Sequence, residues 1–146
     1  MRIAVLNGPN LNLLGTREPA VYGTATLADV EKRLREVGRE LGAELTFAQE
    51  NGEGALIDRV QALRGTADGA IINAGAYSHS SLALRDAFAA VAVPFVEVHV
   101  SNVFAREPER RHSMLAPAAV ALLCGFGTYG YELALRGLAA KLGKRS

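Results

Sequence analysis

Ile3-Ala4-Val5-Leu6-Asn7 is an unbroken apolar run that ends on an amide, with Gly8 and Pro9 directly after it. A short apolar run bounded by turn residues reads as a buried strand, and apolar character on successive residues requires cover on both faces. Gly69-Ala70-Ile71-Ile72-Asn73 repeats the pattern. Between the two runs, Thr26 opens a helix, with Asp29 completing a capping-box variant. Leu27, Val30, Leu34, Val37 and Leu41 form its single apolar stripe, and Gly42 ends it. ELTFAQ (44–49) is a second strand, and Leu56, Ile57, Val60 and Leu63 mark a helix stopped at Gly65. After the 69–73 strand, Leu84, Phe88 and Val91 mark a third helix. PFVEVHV (94–100) is a fourth strand and VALLC (120–124) a fifth, and Leu135, Leu138 and Leu142 belong to a last helix. Strands alternating with helices give an α/β chain. The arrangement expected is a flavodoxin-like three-layer sandwich around a five-stranded parallel sheet, order 2-1-3-4-5. The crossover before the fifth strand shows the least helical pattern.

The 146 residues are expected to form a single domain, 1–146. A chain of this size buries about 68–70% of its unfolded surface, enough for one packed core. A hydrophobic share of 49% with a net charge of +1 excludes disorder and argues against a binder of nucleic acid or membrane surfaces. The one cysteine, Cys124, excludes an intrachain disulfide framework and reads as a buried structural thiol within AVALLCG. The N-terminal apolar stretch is too short for a signal segment, and no apolar run is long enough to span a bilayer. The expected location is therefore the cytoplasm.

In open α/β sheets ligands bind outside the carboxyl ends of the strands. Strand 1 is followed by Asn7, Gly8, Pro9 and Asn10, and strand 2 by Gln49, Glu50 and Asn51. Strand 3 leads to Asn73, Tyr77, Ser78, His79 and Ser80, and strand 4 to His99, Ser101 and Asn102. Amides, hydroxyls and two of the three histidines thus gather at one edge of the sheet. Two connections exceed what linking requires, residues 7–25 and about 101–117, and long loops in compact domains are commonly functional. The first carries Arg17 and Tyr22. Bringing a phenol to ionise near neutrality requires roughly 4 kcal/mol of preferential stabilisation of its anion, which one or two close guanidinium groups can supply. The bland reading is a packing tyrosine in a solvated loop. The second connection carries Arg106, Arg110, Arg111 and His112. It reads either as a solvated charged loop or as a lid bringing arginines over an anionic ligand.

Several motifs point elsewhere and fail on context. Gly125, Gly127 and Gly130 form a literal G-x-G-x-x-G, but at the last strand-to-helix turn instead of the first, so tight turning and close packing are expected of them. GAYSHSS, holding Ser78, Ser80 and Ser81, is not a nucleophile elbow. His79, His99 and His112 lack metal-ligand spacing, so no metal is expected. Of sixteen basic residues only Lys32, Lys141 and Lys144 are lysines, and none follows a strand, which argues against imine catalysis.

Five ordered blocks carry a family resemblance over nearly the whole chain. They are NGPNLNLLGTREPAVYG from Asn7, EG-LIDRVQ around Glu53, INAGAYSHSSLALRDA from Ile72, PFVEVHVSNVFARE from Pro94 and GFGTYGYELAL from Gly125. The chain resembles the type II 3-dehydroquinate dehydratases. The resemblance implies a flavodoxin-like subunit, a homododecamer built from four trimers, and no cofactor or metal. It also implies conversion of 3-dehydroquinate to 3-dehydroshikimate by anti elimination of water through an enolate, a step of the shikimate pathway.

Carried over by position, the resemblance makes Tyr22 the general base and Arg17 its electrostatic activator. Arg106 supports the lid and the phenolate, His99 is the general acid, and Asn10 holds the enolate oxygen. Asn73, His79 and Arg110 correspond to contacts with ligand hydroxyls, and Val100 and Ser101 to a carboxylate site. Asp86 corresponds to a residue that enters a neighbouring subunit's site. This chain departs from the family pattern at Phe104 (often His), Pro108-Glu109 (often Glu-Phe), Met114 (often Tyr) and the 49–54 segment (often Q-S-N-H-E-G). The alternative weighed against this resemblance is a flavodoxin-like module that binds a nucleotide or flavin.

Overall fold

The computed structural model describes residues 1–16 and 18–144. Strand β1 (Arg2–Asn7) lies at the heart of the sheet, with β2 (Glu44–Gln49) on one side and β3 (Gly69–Asn73) on the other. Strands β4 (Phe95–His99) and β5 (Ala121–Cys124) complete the order β2-β1-β3-β4-β5, and every pairing is parallel. Asn7 is in register with both Gln49 and Asn73, so three amide side chains end adjacent strands on one level.

Alternation along the strands builds two cores. Ile3, Val5, Ile71, Val96 and Val98 face one side, where they meet Val30, Leu34 and Val37 of α2 (Leu27–Leu41) and Leu135 and Leu138 of α5 (Tyr129–Gly143). Ala4, Leu6, Ala70, Ile72 and Phe95 face the other. They meet Leu56 and Val60 of α3 (Glu53–Gln61) and Leu84 and Phe88 of α4 (Leu82–Val91). Phe88 and Phe95 stack with ring centroids 3.9 Å apart. Helix ends follow their sequence signals. The Thr26 hydroxyl accepts the Asp29 N–H at 3.1 Å while the Asp29 carboxylate accepts the Thr26 N–H at 2.9 Å, and Gly42 is left-handed.

Three details differ from expectation: the end of α3, a helix in the first connection and the exposure of Cys124. Helix α3 stops at Gln61, because residues 62–66 tighten into turns in which Leu63, Arg64 and Thr66 each donate to the carbonyl three residues back. The first long connection holds a short helix α1 (Pro19–Tyr22), with Pro19 at its start. The β4–β5 connection, expected as a loop, has only short 3₁₀ turns (Val103–Ala105, Pro108–Arg110, Ala116–Ala118) and no α-helix. Cys124 is only partly buried, because β5 is an edge strand. Among the described residues no helix is long and apolar enough to cross a membrane.

Candidate active site

The carboxyl ends of β1, β3 and β4 open into a cavity. The first connection contributes Asn10 and Tyr22 to its wall, β3 and the turn beyond it contribute Asn73 and His79, and β4 ends in His99, Val100 and Ser101. Arg106 and Arg110 cover it from the β4–β5 connection. These residues are separated widely in sequence and brought together by the sheet edge.

The chain can come this close only because residue 8 lacks a side chain. The Gly8 N–H donates to the Asn73 carbonyl at 2.8 Å, and a Cβ at Gly8 would sit 2.4 Å from the Ala74 carbonyl oxygen. Asn10 then adopts a left-handed backbone, φ 68°. Its N–H donates to Asn51 Oδ1 at 3.1 Å, and Gln49 Nε2 donates to that same oxygen at 3.0 Å and to the Gly8 carbonyl at 3.1 Å. Gln49 at the end of β2 and Asn51 just beyond it therefore hold the first connection in place.

Arg106 Nη1 donates to the Tyr22 hydroxyl oxygen at 2.7 Å and to Ser101 Oγ at 3.3 Å. Its guanidinium carbon lies 5.3 Å from the Tyr22 ring centroid. A guanidinium donating to a phenolic oxygen stabilises negative charge on that oxygen. The neighbouring Arg110 Nε donates to Glu107 at 2.5 Å. That hydrogen bond raises the Arg110 pKa and lowers that of Glu107.

Two imidazoles form the opposite wall, stacked with centroids 5.8 Å apart. His79 Nδ1 is 2.7 Å from the His112 carbonyl oxygen. A carbonyl only accepts, so Nδ1 carries the proton and Nε2 keeps its lone pair. Burial is the main cause holding the His79 pKa below its ordinary value, and the adjacent His99 and Arg110 act in the same direction. His99 Nε2 is hydrogen-bonded to Glu97, both side chains being buried, and Ser113 Oγ donates to the same carboxylate at 2.6 Å. The Asn73 carboxamide is fixed as well. Its Oδ1 accepts the Gly75 N–H at 3.2 Å, and its Nδ2 donates to the Tyr131 hydroxyl at 3.0 Å. Tyr131 in turn donates to Asn7 Oδ1 at 2.5 Å, and complete burial raises its pKa, so it acts as a neutral phenol.

Of the residues singled out in the sequence, the cavity gathers Asn10, Tyr22, Asn73, His79, His99, Val100, Ser101, Arg106 and Arg110. Arg17 lies outside the described residues. Asp86 is not brought to this cavity; it is exposed on α4. Glu97, Ser113 and Tyr131 escaped the sequence reading. For Glu97 a signal existed, since a carboxylate in an apolar strand two residues before His99 shares its face. The Gly125–Gly127 turn serves backbone closure. Its Gly125 and Gly127 N–H groups donate to the carbonyls of His99 and Val100 at 3.4 and 3.0 Å, and Gly125 has φ 95°. Among the described residues no group of His, Cys, Asp or Glu could hold a metal ion.

Fold and site together define a flavodoxin-like α/β protein with a small-molecule pocket at the strand ends, furnished with imidazoles, amides and an arginine-held tyrosine. The family model described as dehydroquinase class II matches residues 1–139. A 3-dehydroquinate dehydratase of Gemmatimonas aurantiaca is 65% identical over 142 residues, covering 97% of this chain and 93% of the relative. A catabolic 3-dehydroquinase 1 of Neosartorya fischeri is 52% identical over 144 residues, covering 99% and 96%. The crystal structure of the type II dehydroquinase from Propionibacterium acnes superposes with a TM-score of 0.91 at 42% identity, covering 95% of this chain and 96% of that one. The chain belongs to the class II dehydroquinase family.

Proposed function

We propose that this chain is a 3-dehydroquinate dehydratase, a hydro-lyase of the shikimate pathway, and that Tyr22 and His99 carry its proton transfers. The observation that supports the residue roles best is the placement of an arginine-held tyrosine and a carboxylate-paired histidine around one cavity. The phenolate of Tyr22, stabilised by Arg106, takes the proton α to the substrate ketone. An α-proton is weakly acidic, so the developing enolate needs matched stabilisation. Asn10 supplies that at the enolate oxygen, and Arg17 adds positive charge. The enolate then collapses. The carbon–oxygen bond to the leaving hydroxyl breaks, His99 donates its proton to that oxygen, and water departs. The bond electrons of the C–H become those of the new double bond, so no redox partner is required. Transfer of a proton from Tyr22 back to His99 resets the site.

In this reading Asn73, His79 and Arg110 hold substrate hydroxyls, and Val100 and Ser101 receive its carboxylate. His79 offers Nε2 as an acceptor, which suits a hydroxyl donor. Exposure of Asp86 on α4 suits a residue used by a neighbouring subunit of a trimer, four such trimers making a homododecamer in the cytoplasm. The chain acts as one domain, 1–146, and uses no cofactor or metal. A nucleotide- or flavin-binding module is disfavoured because the glycine turn that would cradle a phosphate spends its N–H groups on strand carbonyls.

The direct test is formation of 3-dehydroshikimate from 3-dehydroquinate, followed by ultraviolet absorbance. Tyr22→Phe is expected to lower kcat at least about 100-fold, the scale of a positioned general base. Near-normal turnover by that variant would remove Tyr22 from the role, and a wild-type protein without turnover would refute the function itself.

A further inference from the structure

The segment that closes the β4–β5 connection, residues 112–114, is fastened to the pocket floor at each residue. The His112 carbonyl receives His79 Nδ1–H at 2.7 Å, and the Met114 N–H donates to the Ser78 carbonyl at 2.7 Å. Between them, Ser113 Oγ lies 2.6 Å from Glu97 Oε1 and 2.9 Å from Oε2. A serine hydroxyl has one proton and two lone pairs. The proton goes to the carboxylate, and the lone pairs take the N–H groups of Leu115 at 3.1 Å and Ala116 at 3.0 Å. With every capacity in use, the hydroxyl has one orientation. Glu97 is 0% exposed, and among the described residues its carboxylate is hydrogen-bonded to Ser113 and His99.

We propose that Ser113 is a positioning residue that acts through Glu97 on His99, coupling the seating of the second connection to the general acid. A buried carboxylate shared between two donors places less negative charge on each. Without the Ser113 proton, Glu97 is free to turn and its charge falls wholly on the imidazole. The imidazolium is then held more tightly, so its proton is released less readily to the leaving hydroxyl. His99 meets Glu97 from its own strand and stacks on His79 of the turn after β3, while Tyr22 of α1 and Arg106 and Arg110 of the β4–β5 connection line the same cavity as His99. All of these remain in a Ser113 variant, so a changed titration reports on the Glu97 contact.

The inference rests on the reading of His99 as general acid, and a double-mutant cycle separates the two. Wild type, Ser113→Ala, Glu97→Gln and the double variant are assayed with 3-dehydroquinate across pH. Wild type without turnover refutes the proposed function and takes this inference with it. With wild type active, Ser113→Ala is expected to lower kcat about tenfold, the size of one hydrogen bond to a charged group. Its His99-dependent limb of the pH profile should move to higher pH, and Ser113→Thr should restore most of the rate. In the Glu97→Gln background the serine change should cost nothing further in kcat. An unshifted pH limb, or losses that simply multiply in the double variant, would overturn the proposal. Should Ser113→Ala fail to fold, Ser113→Cys, a poorer donor of similar volume, takes its place in the same cycle.

Discussion

Arg106 joins two groups with one nitrogen, donating to the Tyr22 hydroxyl and to Ser101 Oγ while its plane lies near the tyrosine ring. A lysine would bring the charge without the planar fork or the stacking. Arg106→Lys is therefore expected to lower kcat at least about tenfold at saturating substrate, with the fold intact by circular dichroism. Steady-state kinetics decide this, and a kcat within twofold of wild type would show that charge alone suffices. Tyr22 stood out with Arg17 in the first loop, and Arg106 was one of three arginines in the second. The contact of Tyr22 with Arg106 was expected from the family resemblance alone, because 84 residues separate them and nothing in spacing or periodicity joins the two loops. Glu97 was hidden only in part. In PFVEVHV its place on the face of His99 is a local signal, but its second partner, Ser113, arrives from another segment and has no trace in that strand.

At the scale of elements, the strands and the capped helices were legible because each carries a local cause. Apolar runs set β1 and β3, the Thr26–Asp29 box and Gly42 bound α2, and Ser81 caps α4 by accepting the Leu84 N–H at 3.0 Å. The β4–β5 connection has no such periodic cause and forms short turns whose shape is set by contacts to β4 and to the turn after β3. The same limit hid the link between α2 and α5. Glu132 of α5 accepts from Arg33 of α2 at 2.7 Å and from Arg136 at 3.2 Å, and Arg136 also reaches Glu40 at 3.1 Å. The Arg33 hydrogen bond is the main cause that holds the Glu132 pKa below its ordinary 4.5. A carboxylate with a depressed folded pKa gives stability that is full above the unfolded value and is lost as pH falls through the folded one. Glu132→Gln should therefore lower Tm at pH 7 by about 2–4 °C, the equivalent of about 1 kcal/mol. That difference should begin to shrink as pH falls below the ordinary carboxylate value and should be lost once pH passes the depressed folded one, where wild type loses the same charge. Thermal melts of both proteins at pH 7 and pH 3 measure it, and an undiminished gap in acid would exclude the ion pair as its source.

For the whole molecule, the proposed sharing of Asp86 between subunits makes a claim that no single chain can satisfy. Asp86 is exposed on α4, on the sheet face served by α3 and α4, and it does not line its own chain's cavity. If each site takes Tyr22 from its owner and Asp86 from a neighbour, two defective chains can repair one another. A Tyr22→Phe subunit still carries an intact Asp86, and an Asp86→Asn subunit still carries an intact Tyr22. Each homo-oligomer should turn over substrate slowly. After the two are unfolded together, mixed in equal amounts and refolded, about one site in four should combine an Asp86→Asn owner with a Tyr22→Phe neighbour, given random assembly with one donor per site. Activity should then recover to about that fraction of wild type and should follow the product of the two mole fractions as the ratio is varied. Separate refolding followed by mixing, under conditions where subunits do not exchange, provides the control and should stay inactive. A co-refolded mixture no more active than the average of its parents would place Asp86 outside the neighbouring site and leave each cavity complete within its own chain.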